Sequence, residues 1–331
     1  MKVTEHITKA KGKTQFTFEI LPPLKGQNIN ALFNSIDSLM EFNPPFIDVT
    51  YHREEHVYKD RGNGLLELKV IRKRPGTVGI CAAIQGKYNV DAVPHILCGG
   101  LTKEDTENFL IDLDFLEIDN VVALRGDAIK TENYFTPDSE GHSYANELVQ
   151  QISDLNQGTY LDEELLNSHK TDFCIGVSGY PEKHMEAPSL ESDLHFLKKK
   201  IKAGADYIVT QMFFDNQKFF EFVAKAREEG ITAPIIPGLK PLSTLKQLNM
   251  IPHRFHVDLP EALIKEVIKC KDNKAVRQVG MEWCTLQSKE LMAAGVPFLH
   301  YYSMGKSDNI KKITEAAINS LLWRVHHSIP T

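Results

Sequence analysis

Eight short apolar runs alternate along 331 residues with segments of helical spacing, a pattern that predicts an α/β fold, a TIM (β/α)8 barrel of parallel strands with extra helices. A second observation points to one site on that barrel. Polar residues stand at the C-terminal ends of three of the runs. Phe16-Thr17-Phe18-Glu19-Ile20-Leu21 strands a carboxylate among apolar neighbours, 121–127 ends in Leu124-Arg125-Gly126-Asp127, and 207–215 carries Gln211 and ends in Asp215. Burying a charge costs several kcal/mol unless it is paired or neutralised. In a parallel barrel all strand C-termini open on one face, which holds the active site. The three ends are therefore expected to meet there.

The runs at 16–20, 47–51, 78–84, 121–125, 173–177, 206–211, 234–238 and 297–301 are read as the eight strands. Each is rich in β-branched and aromatic residues, as strands buried on both faces are. Helical spacing is clearest in 31–42, 103–116, 190–203, 217–228 and 242–249, which supply right-handed crossovers. The connection from Leu239 to Val296 is long, and its helical stretches at 260–270 and 275–294 are read as the extra helices. The polar segment 130–143, with Pro137 and Gly141, is read as a loop over the active face. Nothing reads as an interdomain linker, so residues 1–331 are expected to form a single catalytic domain.

Composition narrows the class. With 42% hydrophobic and 25% charged residues, the chain has the make-up of a soluble globular protein. A formal net charge of -6 argues against nucleic-acid binding through a general basic surface. The start, Met1-Lys2-Val3-Thr4-Glu5-His6, lacks an apolar h-region, and no stretch approaches 18 uninterrupted apolar residues. Neither a signal peptide nor a membrane span is expected, and a cytoplasmic location is. Cys81, Cys98, Cys174, Cys270 and Cys284 are scattered without a Cys-x-x-Cys pair, which suits a reducing compartment without disulfides. No Rossmann fingerprint, P-loop or His-Glu-x-x-His occurs. His52 and His56 are four apart but follow a strand, so they read as loop residues, and no metal site is predicted.

Seven motifs then occur in order. They are Phe18-Glu19-x-x-Pro22-Pro23, Asp48-Val49-Thr50-Tyr51, Ala123-Leu124-Arg125-Gly126-Asp127, Gly179-Tyr180-Pro181-Glu182-x-His184, Lys202-Ala203-Gly204-Ala205-Asp206, Thr210-Gln211-x-Phe213-Phe214-Asp215 and Pro237-Gly238. Together, from about Thr14 to about Ile318, the chain resembles the 5,10-methylenetetrahydrofolate reductases, in their short bacterial form without a C-terminal regulatory domain. The resemblance implies a barrel with non-covalent FAD. It implies reduction of 5,10-methylenetetrahydrofolate to 5-methyltetrahydrofolate by NADH or NADPH, a ping-pong step of one-carbon and methionine metabolism. A homo-oligomer is expected.

By this resemblance Glu19 matches the family's general acid. Opening the imidazolidine ring requires a proton on nitrogen as its bond to the methylene breaks, and burial among apolar groups is expected to raise the acid's pKa. Asp127 matches the aspartate between flavin and folate, where a carboxylate stabilises a developing cation. Gln211 matches a glutamine that meets both pterin and nicotinamide, since an amide both donates and accepts. Gln247 and Lys306 match further folate contacts; Lys306 stands for an arginine and lacks its bidentate fork. Thr50, His95, Arg125, Gly126, Asp127, Tyr144, Ala145, Tyr180, His184, Asp193, Lys199 and Lys200 match positions that hold FAD. Lys199 replaces an arginine of some members, and Phe196 replaces a polar ribose contact.

On spacing alone plainer readings compete: a structural ion pair for Glu19, a helix cap for Asp127, a strand cap for Gln211, and a solvated face for Lys198–Lys200. A related FAD barrel such as proline dehydrogenase would need arginines clustered for a substrate carboxylate, whereas Arg254, Arg277 and Arg324 are dispersed. A non-catalytic flavin- or folate-binding protein would have lost the acid, and Glu19 is present.

Overall fold

The computed structural model describes residues 1–129, 131–303, 305 and 307–327, with side chains described as far as residue 319. Among these the strands are β1 (Gln15–Ile20), β2 (Phe46–Val49), β3 (Glu55–Asp60), β4 (Leu66–Ile71), β5 (Asp91–Leu97), β6 (Asn120–Leu124), β7 (Cys174–Gly179), β8 (Tyr207–Thr210), β9 (Ile235–Ile236), β10 (Gly238–Leu239) and β11 (Phe298–Tyr302). Nine of them form one parallel sheet in the order β10-β11-β1-β2-β5-β6-β7-β8-β9. Its two ends, β9 and β10, are parted in the chain only by Pro237. They are one barrel strand, interrupted where proline has no N–H to give. The Pro237 carbonyl accepts from the His300 amide at 3.1 Å, and the Gly238 amide donates to Thr210 Oγ1 at 3.0 Å. The ring thus has eight strand positions, as the sequence predicts.

The helices are α1 (Val3–Ala10), α2 (Ile29–Asp37), α3 (Thr77–Tyr88), α4 (Lys103–Phe115), α5 (Ala145–Gln157), α6 (Leu190–Lys202), α7 (Asn216–Glu228), α8 (Gln247–Phe255), α9 (Glu261–Ile268), α10 (Asn273–Ala293) and α11 (Ser307–His327). Phe16, Phe18 and Ile20 of β1 point outward into the layer between sheet and helices. By the two-residue alternation of a strand, Thr17 and Glu19 point into the barrel. The lower interior is apolar: Phe46, Val93, Val122, Cys174, Tyr207, Ile236 and Phe298 fill it, and Val3 and Ile7 of α1 plug its end.

One strand is corrected. Residues 78–84, whose apolar run predicts a strand, lie in α3. Thr77, Ile80, Cys81 and Ile84 are its buried positions, the three-and-four spacing of one helix face. The third barrel strand is instead β5, which Pro94 and His95 disguise in the sequence. Pro94 is tolerated because β5 pairs with β2 only as far as Val49↔Pro94 and takes up its ladder with β6 from His95 onward. The hairpin β3–β4 is a second departure. It stands as a separate two-stranded antiparallel sheet, and only its first residues, around His56, are read from the sequence as loop. Helix α8 begins at Gln247, later than the helical spacing from 242 suggests. The described residues between 125 and 144 carry neither helix nor strand, in keeping with the expected loop. All five cysteines are free thiols. Among the described residues no helix is long and apolar enough to cross a membrane.

Candidate active site

A cavity of about 710 Å³ opens at the C-terminal ends of the barrel strands. Its floor is built by register. Glu19 of β1 lies beside Asp48 of β2 and beside Tyr302 of β11, and Thr17 lies beside His300. Alternation turns all of these inward, and His95 of β5 joins them. Two carboxylates and two imidazoles therefore converge beneath the cavity. His95 Nε2 is 3.6 Å from Asp48 Oδ2 and 3.8 Å from Glu19 Oε2; His300 Nε2 is 4.0 Å and 3.9 Å from the same two oxygens. The side chains are 7% exposed for His95, 1% for Asp48, 0% for His300 and 12% for Glu19. Thr50 donates to Glu19 Oε1 at 2.7 Å, and Thr17 Oγ1 lies 2.9 Å from His300 Nδ1.

Electrostatics here differ from the sequence expectation. Burial does push the Glu19 carboxyl upward, but His95, then His300 and the Thr50 hydroxyl, outweigh it and pull the pKa down to about 2. The same attraction acts on His95. Burial disfavours its imidazolium, yet Glu19 and Asp48 together raise its pKa above the ordinary value.

The walls bring most of the predicted cofactor positions together. Thr50, His95, Arg125, Gly126, Asp127, Tyr144, Ala145, Tyr180, His184, Asp193 and Lys200 all line the cavity, as do Glu19 and Gln211. Arg125 is held by a two-pronged pair with Glu186 at 2.5 and 2.8 Å. Gly126 takes φ +86°, which lets the chain turn there beside Leu97. The exposed Asp127 side chain stands at the rim, and its carbonyl accepts from Arg53 at 3.1 Å. Tyr144 is the N-cap of α5, so the first residues of that helix present free amides to the cavity. Lys200 on α6 donates to the Ser178 carbonyl at 2.6 Å, and burial lowers its ammonium pKa to about 8 despite the nearby Asp193. Asp193 accepts from the His184 amide at 3.0 Å, and the His184 ring meets Tyr180 edge-on at 4.8 Å. Gln211, just past β8, folds its Oε1 back to the Met212 amide at 3.0 Å.

Three predicted residues are not among them. Lys199 points over the Phe196 ring, 4.9 Å from its centroid, outside the lining. Gln247 is buried away from the cavity, its Oε1 accepting from the Ser243 and Thr244 amides at 2.7 and 2.9 Å. Lys306 lies outside the described residues. Sequence reasoning missed Asp48 and His300, although a charged residue inside Phe-Ile-Asp-Val-Thr and a histidine inside Phe-Leu-His-Tyr-Tyr are the same signal that singled out Glu19. It also missed Arg53, Lys240, Arg254 and Tyr302, which line the cavity without a local pattern to announce them.

Fold and site together define an α/β-barrel protein with a wide cavity over a buried acid–base floor. The chain belongs to the methylenetetrahydrofolate reductase family, whose model matches residues 2–318. It is 32% identical to methylenetetrahydrofolate reductase (NADH) 1 of Arabidopsis thaliana over 98% of this chain and 53% of that one. It is 28% identical to 5,10-methylenetetrahydrofolate reductase of Escherichia coli K12, over 92% of this chain and 91% of that one. The chain spans about half the length of several curated relatives it matches. A solved Clostridium thermocellum protein, described as binding two copies of 5-methyl-5,6,7,8-tetrahydrofolic acid, shares the fold at a TM-score of 0.56 and 14% identity, over 97% of this chain and 99% of that one.

Proposed function

We propose that this protein reduces 5,10-methylenetetrahydrofolate to 5-methyltetrahydrofolate with FAD as bound cofactor and NADH or NADPH as donor, in the cytoplasm. The observation that carries this reading is the meeting of Glu19, Asp127 and Gln211, distant in sequence, around one cavity over a buried acid–base floor. The donor set suits FAD. The half-buried Lys200 amine, the Arg125 guanidinium and the first amides of α5 are groups that hold a diphosphate. Tyr180, His184, Leu97 and Leu124 offer ring and apolar surface beside them. Bound FAD supplies hydride acceptance from the nucleotide and hydride donation to the folate.

The chain's own residues do the rest. Glu19 delivers a proton to the ring nitrogen as its bond to the methylene breaks. Asp127 stabilises the resulting cation from the rim. The Gln211 amide orients pterin and nicotinamide in turn, which requires the two ligands to share space and so to alternate. The test is anaerobic and visible. The purified protein is expected to be yellow, to bleach with NADH or NADPH, and to recolour with methylenetetrahydrofolate, with parallel lines in steady-state double-reciprocal plots. Colourless, well-folded protein that takes up no FAD would sink the reading; intersecting lines would sink the shared site.

A homo-oligomer joined through the β3–β4 hairpin is also proposed. Tyr58, Leu66, Leu68 and Val70 are exposed on one of its faces. The Arg61 amide donates to the Leu65 carbonyl at 2.9 Å, which sets the ladder phase and leaves the main-chain groups of Leu66, Leu68 and Val70 aimed away from β3. Antiparallel pairing of β4 with β4 of a second copy, centred on Leu68, sets Leu66 against Val70 and Glu67 against Lys69 of the copy. Light scattering is expected to give a multiple of the 37.4 kDa chain. Leu68→Lys, which opposes two ammoniums across the axis, is expected to yield monomer with its flavin retained. A wild-type monomer at micromolar concentration would refute the pairing.

A further inference from the structure

Four buried groups beneath the cavity do not bond one another directly. The separations of 3.6–4.0 Å among Glu19, Asp48, His95 and His300 exceed a direct hydrogen bond, yet all four aim at one small volume. His300 Nε2, which faces this point, has no hydrogen-bond partner among the described residues, and neither has Asp48 Oδ1, the oxygen next to the Oδ2 that faces the imidazoles, although both atoms are buried. Buried polar groups are nearly always satisfied, and a water needs two to four polar partners, which this point provides.

We propose that Glu19, Asp48, His95 and His300 form one proton-holding unit, joined by an ordered water, that reloads Glu19 from the imidazoles after each proton it gives to the folate. The proposal builds on the reductase reading and extends it to where the proton comes from. Glu19 as a neutral acid gives its proton to the departing ring nitrogen and becomes a carboxylate. Before that step an imidazolium Nε2–H has passed this proton through the water to Glu19, leaving a neutral imidazole beside the neutral acid. Solvent restores that proton once product has left, so one proton is taken up per turnover and no electrons move within the unit. Asp48 and His300 are positioning residues that act through Glu19. Thr17 fixes the His300 ring by its contact to Nδ1.

The unit also reconciles two facts. A carboxyl whose pKa is held down to about 2 by imidazolium charge is already ionised and has no proton to give, whereas the same buried carboxyl beside neutral imidazoles keeps a proton it can donate. Glu19 and His95, which shift each other, therefore share the proton. The other titratable groups facing the unit are His52 just past β2, whose pKa burial lowers, Tyr207 from β8, Tyr302 from β11, Cys81 from α3 and Lys240 past β10. Burial holds the two phenols and the thiol neutral. It also lowers the Lys240 pKa, with Glu19 opposing.

The test uses the flavin-loaded full chain and Asp48→Asn. Removing one negative charge makes the unit release its proton at lower pH. The alkaline limb of the folate half-reaction is therefore expected to move down by about one pH unit, roughly a tenfold loss on the alkaline side and little change at pH 6. Flavin reduction by NADH is expected to keep its rate at every pH, and Asp48→Glu to restore the limb. An unmoved limb, or equal loss in both half-reactions at every pH, would mean the cluster only supports the fold. A second measurement needs neither activity nor a folded Asp48 variant: histidine ¹⁵N resonances followed against pH. Glu19→Gln is expected to lower the pH at which His95 loses a proton. A His95 titration unchanged in that variant would overturn the proposal. Failure of wild-type protein to bleach and recolour would instead count against the reductase reading.

Discussion

Glu19→Gln is expected to separate the two half-reactions. Hydride transfer from the nucleotide protonates nothing on the folate, so flavin bleaching should proceed near its wild-type rate. Recolouring by methylenetetrahydrofolate should slow by at least about a hundredfold, the lower end of what a positioned general acid contributes. The substitution is conservative where it matters for packing. The glutamine carbonyl still accepts from the Thr50 hydroxyl, which meets Glu19 Oε1 at 2.7 Å. What it loses is the proton to give and the negative charge between His95 and His300. Anaerobic stopped-flow absorbance of the flavin reads each half alone. Equal slowing of both halves would show that Glu19 holds the barrel mouth together and takes no part in proton transfer.

The polar strand ends were legible because burial is costly. A carboxylate inside Phe-Thr-Phe-Glu-Ile-Leu has to be accounted for, and Glu19 indeed sits on the cavity floor. Asp48 and His300 carried the same signal more faintly, and only the register of β1 with β2 and β11 brings them to Glu19. Register follows from which runs are strands, and there the sequence misled. Residues 78–84 are apolar on nearly every position, so periodicity could not tell a buried strand from the inner face of α3. The true third strand hid because Pro94 and His95 break its apolar run. Pro94 is harmless only where β5 changes ladder partners, a property of the sheet and not of the local sequence. Gln247 shows the converse. Its position in the sequence suits a ligand contact, but its carbonyl is taken up by the turn that starts α8. Lys199 and Lys200 are adjacent, and helical rotation alone sends one into the cavity and the other over Phe196.

Gly238→Ala is expected to cost about 3 kcal/mol of stability, the upper end for overpacking, which is on the order of a hundredfold in the folded-to-unfolded ratio. An added Cβ would lie 2.2 Å from the Thr210 carbonyl oxygen and 2.5 Å from the Tyr302 hydroxyl. The first obstacle is backbone, so no rotamer change relieves it. The second is tied down, because Tyr302 donates to that same Thr210 carbonyl at 2.6 Å. The Gly238 amide in turn donates to Thr210 Oγ1. Relief therefore has to push β10 away from β8, at the place where the interrupted strand closes the ring. Gln211 follows Thr210 directly, so the same shift should slow both half-reactions together, unlike Glu19→Gln. Gly79→Ala is the matched control. It lies within α3 with no atom within 4 Å of an added Cβ, and helix propensity there should add about 0.5–1 kcal/mol. Urea denaturation of the two variants beside the wild type should move the midpoints in opposite directions. A Gly238→Ala midpoint equal to wild type would mean that the barrel does not close through this contact, and that the floor beneath Glu19 is held by the remaining seven strand positions.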